Sequence, residues 1–116
     1  MNKRKLGDDM EMLALHFLEK NGYSVIEKNF YMRGGEADII AVNNDDLCFI
    51  EVKYRSSDEY GTSFDAVTFS KRRKLIKTAR YYLLRHPEYD KMNIRFDVLG
   101  IDGTEIRLVK AAFDAV

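Results

Sequence analysis

The sequence predicts an α/β fold in which a mixed β-sheet is flanked by two helices. Three observations predict it: an amphipathic helix opens the chain, three short apolar runs follow, and a second amphipathic helix precedes a final hairpin. Strands that lie between two helices in sequence commonly form one sheet with the helices packed on it. We expect the order α-β-β-β-α-β-β and, from a length of 116 residues, a single domain over residues 1–116.

The first helix is predicted from about Leu6 to Asn21, where apolar residues recur at helical spacing. Asn21-Gly22 ends it, because glycine readily adopts the left-handed conformation found after helix C-termini. A short strand is predicted at Ser24–Lys28, followed by a flexible turn at Arg33-Gly34-Gly35.

Two apolar runs, Ala37–Val42 and Leu47–Tyr54, come next and predict a β-hairpin. The polar segment Asn43–Asp46 separates them, as is typical of a hairpin loop. A turn centred between Asn44 and Asp45 would pair residues whose numbers sum to 89. This register fixes which side chains of the two strands face each other.

The second half of the chain predicts a loop, a helix and a last hairpin. Arg55–Asp65 is polar and is expected to form the loop, and the helix is predicted from about Ser70 to Arg85. Strands at Asn93–Leu99 and Glu105–Lys110 surround Asp102-Gly103, a sequence typical of tight turns. In the first of these strands, Asp97 is expected to be structural and to pair with Arg95 or Arg107.

The predicted register places the carboxylates of Asp38 and Glu51 on opposite strands with their Cβ atoms roughly 4.5–5.5 Å apart. Like charges at that distance are destabilising unless something positive lies between them. Two hard oxygen donors suit Mg²⁺ or Mn²⁺, and the Val52 carbonyl could be a further ligand. Lys53 shares the strand face of Glu51 and could act on an attacking water or a phosphate.

Each of these residues also has a structural interpretation. Asp38, Glu51 and Lys53 could form a surface ion cluster without any metal. Glu11 lies at the border of the apolar stripe of the first helix, where it could lean toward the metal or remain an exposed helix residue.

Charge and composition exclude several classes of protein. Lys+Arg and Asp+Glu both number 19, so the chain is not a general polycation. No apolar run approaches the roughly 18 residues of a membrane helix, and no signal peptide is visible, so we expect no membrane partner. The single cysteine, Cys48, cannot form an internal disulfide, so we expect the reducing cytoplasm.

The zero net charge hides a basic segment. Residues 53–85 hold nine basic and three acidic side chains. This bias favours an anionic partner such as nucleic acid, although a solvated helix face would look the same. The candidate nucleic-acid contacts lie on the second helix: Lys71, Arg72, Arg73, Lys74, Lys77 and Arg80.

Taken together, the motifs resemble a known family, the YraN family of predicted endonucleases. This family lies within the PD-(D/E)xK superfamily, which includes restriction enzymes and archaeal Holliday-junction resolvases. The resemblance covers nearly all of the chain. The matching residues are Gly7-Asp8 with Glu11 and Ala14, Gly22-Tyr23, Asn29, Arg33 to Ile40, Phe49 to Lys53, Val67 with Lys71, Arg95 to Val98, and Ala112-Phe113.

The resemblance implies a restriction-endonuclease-like α-β-β-β-α-β core with a C-terminal hairpin. It also implies a metal-dependent nuclease that hydrolyses phosphodiester bonds, and we expect DNA rather than RNA as the substrate. Because the sequence shows no module that reads bases, we expect recognition of nucleic-acid structure rather than sequence. Asp38 would be the first acid, Glu51 and Lys53 the (D/E)xK pair, and Glu11 the helix acid of the resolvase-like branch. Resolvase-like relatives act as dimers, so a homodimer is an open alternative. A non-catalytic nucleic-acid-binding module with the same fold is the alternative function.

Overall fold

The computed structural model describes residues 3–55, 68–103 and 105–114. The predicted order of helices and strands is confirmed, with a short 3₁₀ helix at Pro87–Tyr89 added after the second helix. The elements are α1 (Lys3–Lys20), β1 (Ser24–Met32), β2 (Gly35–Asn43), β3 (Asp46–Arg55), α2 (Phe69–Arg85), β4 (Asn93–Asp102) and β5 (Glu105–Phe113). The fold is mixed α/β, consistent with the restriction-endonuclease-like class.

The five strands form one mixed sheet in the order β1-β2-β3-β4-β5. Neighbouring strands are antiparallel except β3 and β4, which run parallel from Asp46–Asn93 to Arg55–Asp102. Parallel neighbours need a long crossover connection, and α2 lies in that connection. The two central strands are therefore joined through the basic helix.

The two helices cover opposite faces of the sheet. Cys48 and Ile50 pack in the same core cluster as α1, whereas Leu47 and Phe49 pack with α2. This alternation along β3 is the period of two that side chains of a strand follow. Within the described ranges, neither helix is long and apolar enough to cross a membrane.

Helix α2 lies close to β2 at Gly35. A Cβ atom at this position would collide with Oγ1 of Thr78. That hydroxyl is buried in the contact and donates to the carbonyl oxygen of Lys74 at 2.7 Å, with the carbonyl of Glu36 at 3.4 Å. The lack of a side chain at Gly35 therefore allows α2 to pack closely against β2, the strand that carries Asp38.

Several helices and strands are longer than predicted. β1 was expected to end at Lys28 but continues to Met32, because it pairs with β2 as far as Met32–Gly35. Asn29, the first residue after the predicted end, has a φ of +52°, which is unusual for a non-glycine residue inside a strand. β4 and β5 each run three residues past their predicted ends, and α1 begins at Lys3. Arg55 belongs to β3, and residues 56–65 of the predicted loop lie outside the described residues.

A buried polar network links β4 to Tyr23 and to the start of β3. The guanidinium of Arg95 donates to both carboxylate oxygens of Asp97 at 2.9 Å and to Asp46 at 2.8 Å. Asp97 is fully buried and also accepts a 2.8 Å hydrogen bond from the hydroxyl of Tyr23. The pairing predicted for Asp97 is thus confirmed with Arg95.

Candidate functional site

The hairpin of β2 and β3 has the predicted register. Its backbone pairs run from Asn43–Asp46 to Ile39–Ile50, and every pair sums to 89. Beyond Ile39, the N–H of Val52 donates to Oδ2 of Asp38 at 2.8 Å. A carboxylate side chain therefore accepts from β3 immediately after the last backbone pair.

Asp38 and Glu51 meet at this end of the hairpin. Their carboxyl groups lie close enough to interact electrostatically. Burial and then the charge of Glu51 raise the pKa of Asp38 to about 7, although the N–H of Val52 acts to lower it. Near neutral pH, Asp38 therefore carries a proton part of the time.

Two lysines neutralise the second carboxylate. Nζ of Lys53 lies 3.1 Å from Oε1 of Glu51, and Nζ of Lys71 lies 3.9 Å from the same oxygen. Glu51 and Lys53 are only 14% and 16% exposed, so water screens this pair weakly. We call Asp38, Glu51, Lys53 and Lys71 the acid–lysine cluster.

The two ammonium groups of the cluster influence each other. Burial lowers the pKa of Lys53, but the contact with the carboxylate of Glu51 outweighs burial, and the pKa lies above its ordinary value. The nearby ammonium of Lys53, followed by partial burial, lowers the pKa of Lys71. The cluster thus holds a firmly charged Lys53 beside a Lys71 that loses its proton more readily.

Lys71 is a site residue that sequence reasoning assigned to a different task. It was expected only as a contact to the backbone of nucleic acid, yet α2 brings it to Glu51. No periodic signal connects positions 51 and 71, because the segment between them includes residues that carry no regular pattern. The contact depends on how α2 crosses the sheet.

Glu11 lies on the other side of the sheet from α2. Its Oε1 accepts a hydrogen bond from the side-chain amide of Asn29 at 3.1 Å and lies 3.4 Å from Nζ of Lys28. In the parts of the chain that the structure describes, no three acidic, histidine or cysteine side chains are grouped closely enough to hold a metal ion. Participation of Glu11 in a metal site stays a prediction.

The donor set fits one kind of metal ion better than others. Asp38 and Glu51 supply hard carboxylate oxygens, and Cys48 faces the opposite helix. Mg²⁺ and Mn²⁺ bind through one or two carboxylates and complete their coordination with water and substrate phosphates, whereas zinc sites use histidine or cysteine. Asp38 is partly protonated near neutral pH, so a cation that binds here would displace its proton. The Val52 carbonyl as a ligand stays a prediction.

The six predicted nucleic-acid contacts separate into three groups. Lys71 belongs to the acid–lysine cluster, and the guanidinium of Arg72 lies 5.5 Å from the ring centroid of Phe113 on β5. The other four line a groove of about 630 Å³ along α2: Arg73, Lys74, Lys77 and Arg80. We call this the basic groove. It reaches Gly34 in the turn between β1 and β2, where a Cβ would lie 3.0 Å from Nζ of Lys77.

Comparison with known proteins places the chain in a family. Residues 10–101 match the profile of a family described as "Uncharacterised protein family UPF0102". The chain belongs to UPF0102. This is the YraN family, so the resemblance seen in the sequence is confirmed.

Individual UPF0102 proteins match along almost their whole length. The chain is 43% identical over 115 residues to a UPF0102 protein of Lachnoclostridium phytofermentans, covering 99% of this chain and 98% of the relative. It is 40% identical over 111 residues to one of Legionella pneumophila, with 94% of each covered. A relative from Aliivibrio salmonicida is 40% identical over 114 residues, covering 96% of this chain and 93% of the relative. The UPF0102 match includes the whole acid–lysine cluster.

Proposed function

We propose that this protein is a metal-dependent nuclease that hydrolyses phosphodiester bonds of nucleic acid, with DNA as the expected substrate. The observation that carries the proposal is the partly buried pair of Asp38 and Glu51 at the end of a hairpin, with Lys53 and Lys71 beside it. Membership of UPF0102 identifies no reaction, so the proposal rests on this geometry and on the likeness to PD-(D/E)xK nucleases.

Each residue of the cluster has a stated task. Asp38 and Glu51 would hold Mg²⁺ or Mn²⁺, with the Val52 carbonyl and Glu11 as further candidate ligands. When bound, the metal ion acidifies a water molecule and withdraws charge from the phosphate. Lys53 would donate a hydrogen bond to the attacked phosphate or to the attacking water. Its positive charge would stabilise the negative charge that develops on the phosphate during the reaction. Lys71 would assist from α2.

The basic groove supplies contacts to the backbone. Its four cations and Arg72 would neutralise phosphates without reading bases, so affinity would be independent of sequence and sensitive to salt. This is the expectation for an enzyme that selects the shape of DNA, such as a branch or a flap.

A non-catalytic nucleic-acid-binding module is the second candidate. One observation favours it: the described residues bring two carboxylates together and no third acidic, histidine or cysteine ligand. A binder of this kind would use the basic groove and would need no metal. Metal-dependent cleavage therefore separates the two candidates.

The decisive experiment is one cleavage panel with the full chain. Linear, flapped, four-way-junction and single-stranded DNA and RNA are incubated with Mg²⁺, Mn²⁺ or chelator. We expect cleavage of at least one DNA substrate with metal and none in chelator. Glu51→Gln should abolish it, whereas Glu105→Gln, an exposed carboxylate on β5, should not. Binding without cleavage under every condition would support the module instead. Light scattering of the same samples tests the homodimer.

A further inference from the structure

We propose that Phe69 is a stacking platform for an unpaired base, so that the basic groove takes single-stranded nucleic acid. The inference rests on the proposed function, because it names the class of substrate that the same protein would bind. It is carried by an exposed aromatic ring at the end of the groove and by the charges beside that ring.

The ring of Phe69 faces solvent at the start of α2. Phe69 is the first residue of α2, where the hydroxyl of Thr68 caps the helix by accepting from the N–H of Lys71 at 3.2 Å. The side chain is 73% exposed, although a phenylalanine ordinarily packs in the core. The guanidinium of Arg73 lies over the ring, 5.9 Å from its centroid. A planar apolar surface therefore remains open to a ligand.

The surroundings of the ring select an anionic ligand. Phe69 lines the basic groove together with Arg73, Lys74, Lys77 and Arg80, and none of the described lining residues is acidic. Another exposed apolar ring, that of Tyr31, offers a contrast. It is 68% exposed but does not line the groove, and the preceding residue, Phe30, is the one that packs on α2.

The combination of a ring and a row of cations matches a single strand better than a duplex. Phosphates of the strand would lie on the cations while one base stacks on Phe69. Bases of a duplex are already stacked and paired, so a ring on the protein surface cannot reach their faces. Stacking of this kind tolerates any base, because every base presents a π face.

The test measures binding of the full chain in chelator, where cleavage cannot interfere. The probe is a single-stranded oligodeoxynucleotide that carries one 2-aminopurine, and the same sequence as a duplex is measured in parallel. The fluorescence of 2-aminopurine falls when it stacks on an aromatic ring, so intensity reports stacking while anisotropy reports affinity.

We expect Phe69→Leu to weaken single-strand affinity about tenfold and to remove the fluorescence quenching, with duplex affinity unchanged. Phe69→Tyr keeps a ring and should restore both signals, whereas Tyr31→Leu, the matched control, should alter neither. Circular dichroism checks that each variant is folded.

Two outcomes would overturn the inference: single-strand affinity and quenching that do not respond to Phe69→Leu, or an equal loss for duplex and single strand. Neither outcome touches the nuclease proposal, which stands or falls on metal-dependent cleavage and its loss in Glu51→Gln. Quenching that requires Phe69 in a protein that never cleaves would support the stacking platform and reject the nuclease.

Discussion

The backbone N–H of Val52 donates a 2.8 Å hydrogen bond to Oδ2 of Asp38, one step beyond the last backbone pair of the hairpin. This bond fixes the carboxylate against β3, next to Glu51. The two acids consequently remain close even though their charges repel. The side chain of Asp38 thus links β2 to β3 at the position of the proposed metal site, where rigidity is needed.

Asp38→Asn should stabilise the protein in chelator and abolish its response to metal. The amide oxygen can still accept from Val52, but the repulsion with Glu51 is gone, so we expect a gain of about 1 kcal/mol or more at pH 8. Mg²⁺ or Mn²⁺ should raise the Tm of the parent and not of the variant. Glu36→Gln, a control on the same strand, should keep the metal response. A variant that melts lower and still responds to metal would contradict the site.

The same pair predicts a dependence of stability on pH. The pKa of Asp38 is raised from 3.8 to about 7 in the folded chain, so the folded state binds more protons between these values. Its contribution is fully present below about pH 4 and is lost as pH rises through 7. In chelator, Asp38→Asn should therefore match the parent near pH 4 and exceed it in free energy of unfolding by pH 8. An equal difference at both pH values, measured by urea denaturation, would count against the raised pKa.

Lys53→Ala should remove cleavage and spare metal binding. The ammonium lies against Glu51 and is assigned to phosphate or water, and loss of one such group costs about 10²–10³ in rate. Calorimetry with Mn²⁺ should give an affinity close to that of the parent. Lys91→Ala, which changes an exposed lysine elsewhere, serves as the control. If Mn²⁺ binding disappeared together with cleavage, the task assigned to Lys53 would be wrong.

The basic groove should set the salt dependence of DNA binding. Replacing Arg73 and Lys77 with glutamine removes two phosphate contacts, so the slope of log affinity against log salt should decrease by about 2. Arg85→Gln is the matched control, because its guanidinium lies 5.3 Å from the ring centroid of Tyr81 and does not line the groove. Fluorescence anisotropy in chelator between low and moderate salt gives the slope. An unchanged slope in the double variant would exclude the groove from the interface.

Gly35→Ala should destabilise the fold through α2. The added Cβ would collide with Oγ1 of Thr78, and overpacking of a close contact typically costs about 1–3 kcal/mol. Thr78→Ala removes that oxygen, so the double variant should recover part of the loss relative to the sum of the single changes. Chemical denaturation of the four proteins measures the coupling. Strictly additive effects would show that Gly35 matters for another reason.

Much of the fold follows from local patterns in the sequence. The apolar stripes of the helices and the polar loop at Asn43–Asp46 are short-range signals, and they gave the element order and the register of β2 and β3. That register in turn brought Asp38 toward Glu51. Local patterns did not show the second half of β1, which begins at Asn29, a residue with a positive φ.

Local sequence patterns could not predict the contacts between elements that are distant in the chain. The approach of Lys71 to Glu51 and the exposure of Phe69 both depend on the angle at which α2 crosses the sheet. That angle follows from tertiary packing, including the fit of Thr78 against Gly35, which no periodicity encodes. The separation of the six basic residues into a cluster, a strand contact and a groove has the same origin.

The parallel pairing of β3 with β4 also constrains the order of assembly during synthesis. Asp46 of β3 pairs with Asn93 of β4, a residue that is synthesised 47 positions later. The hairpin that carries Asp38 and Glu51, and the helix that carries Lys71, are both complete before that partner arrives. A nascent chain that stops short of β4 would hold every member of the acid–lysine cluster beside an open central strand. Such chains would pair with one another through that strand before any of them could act on a substrate.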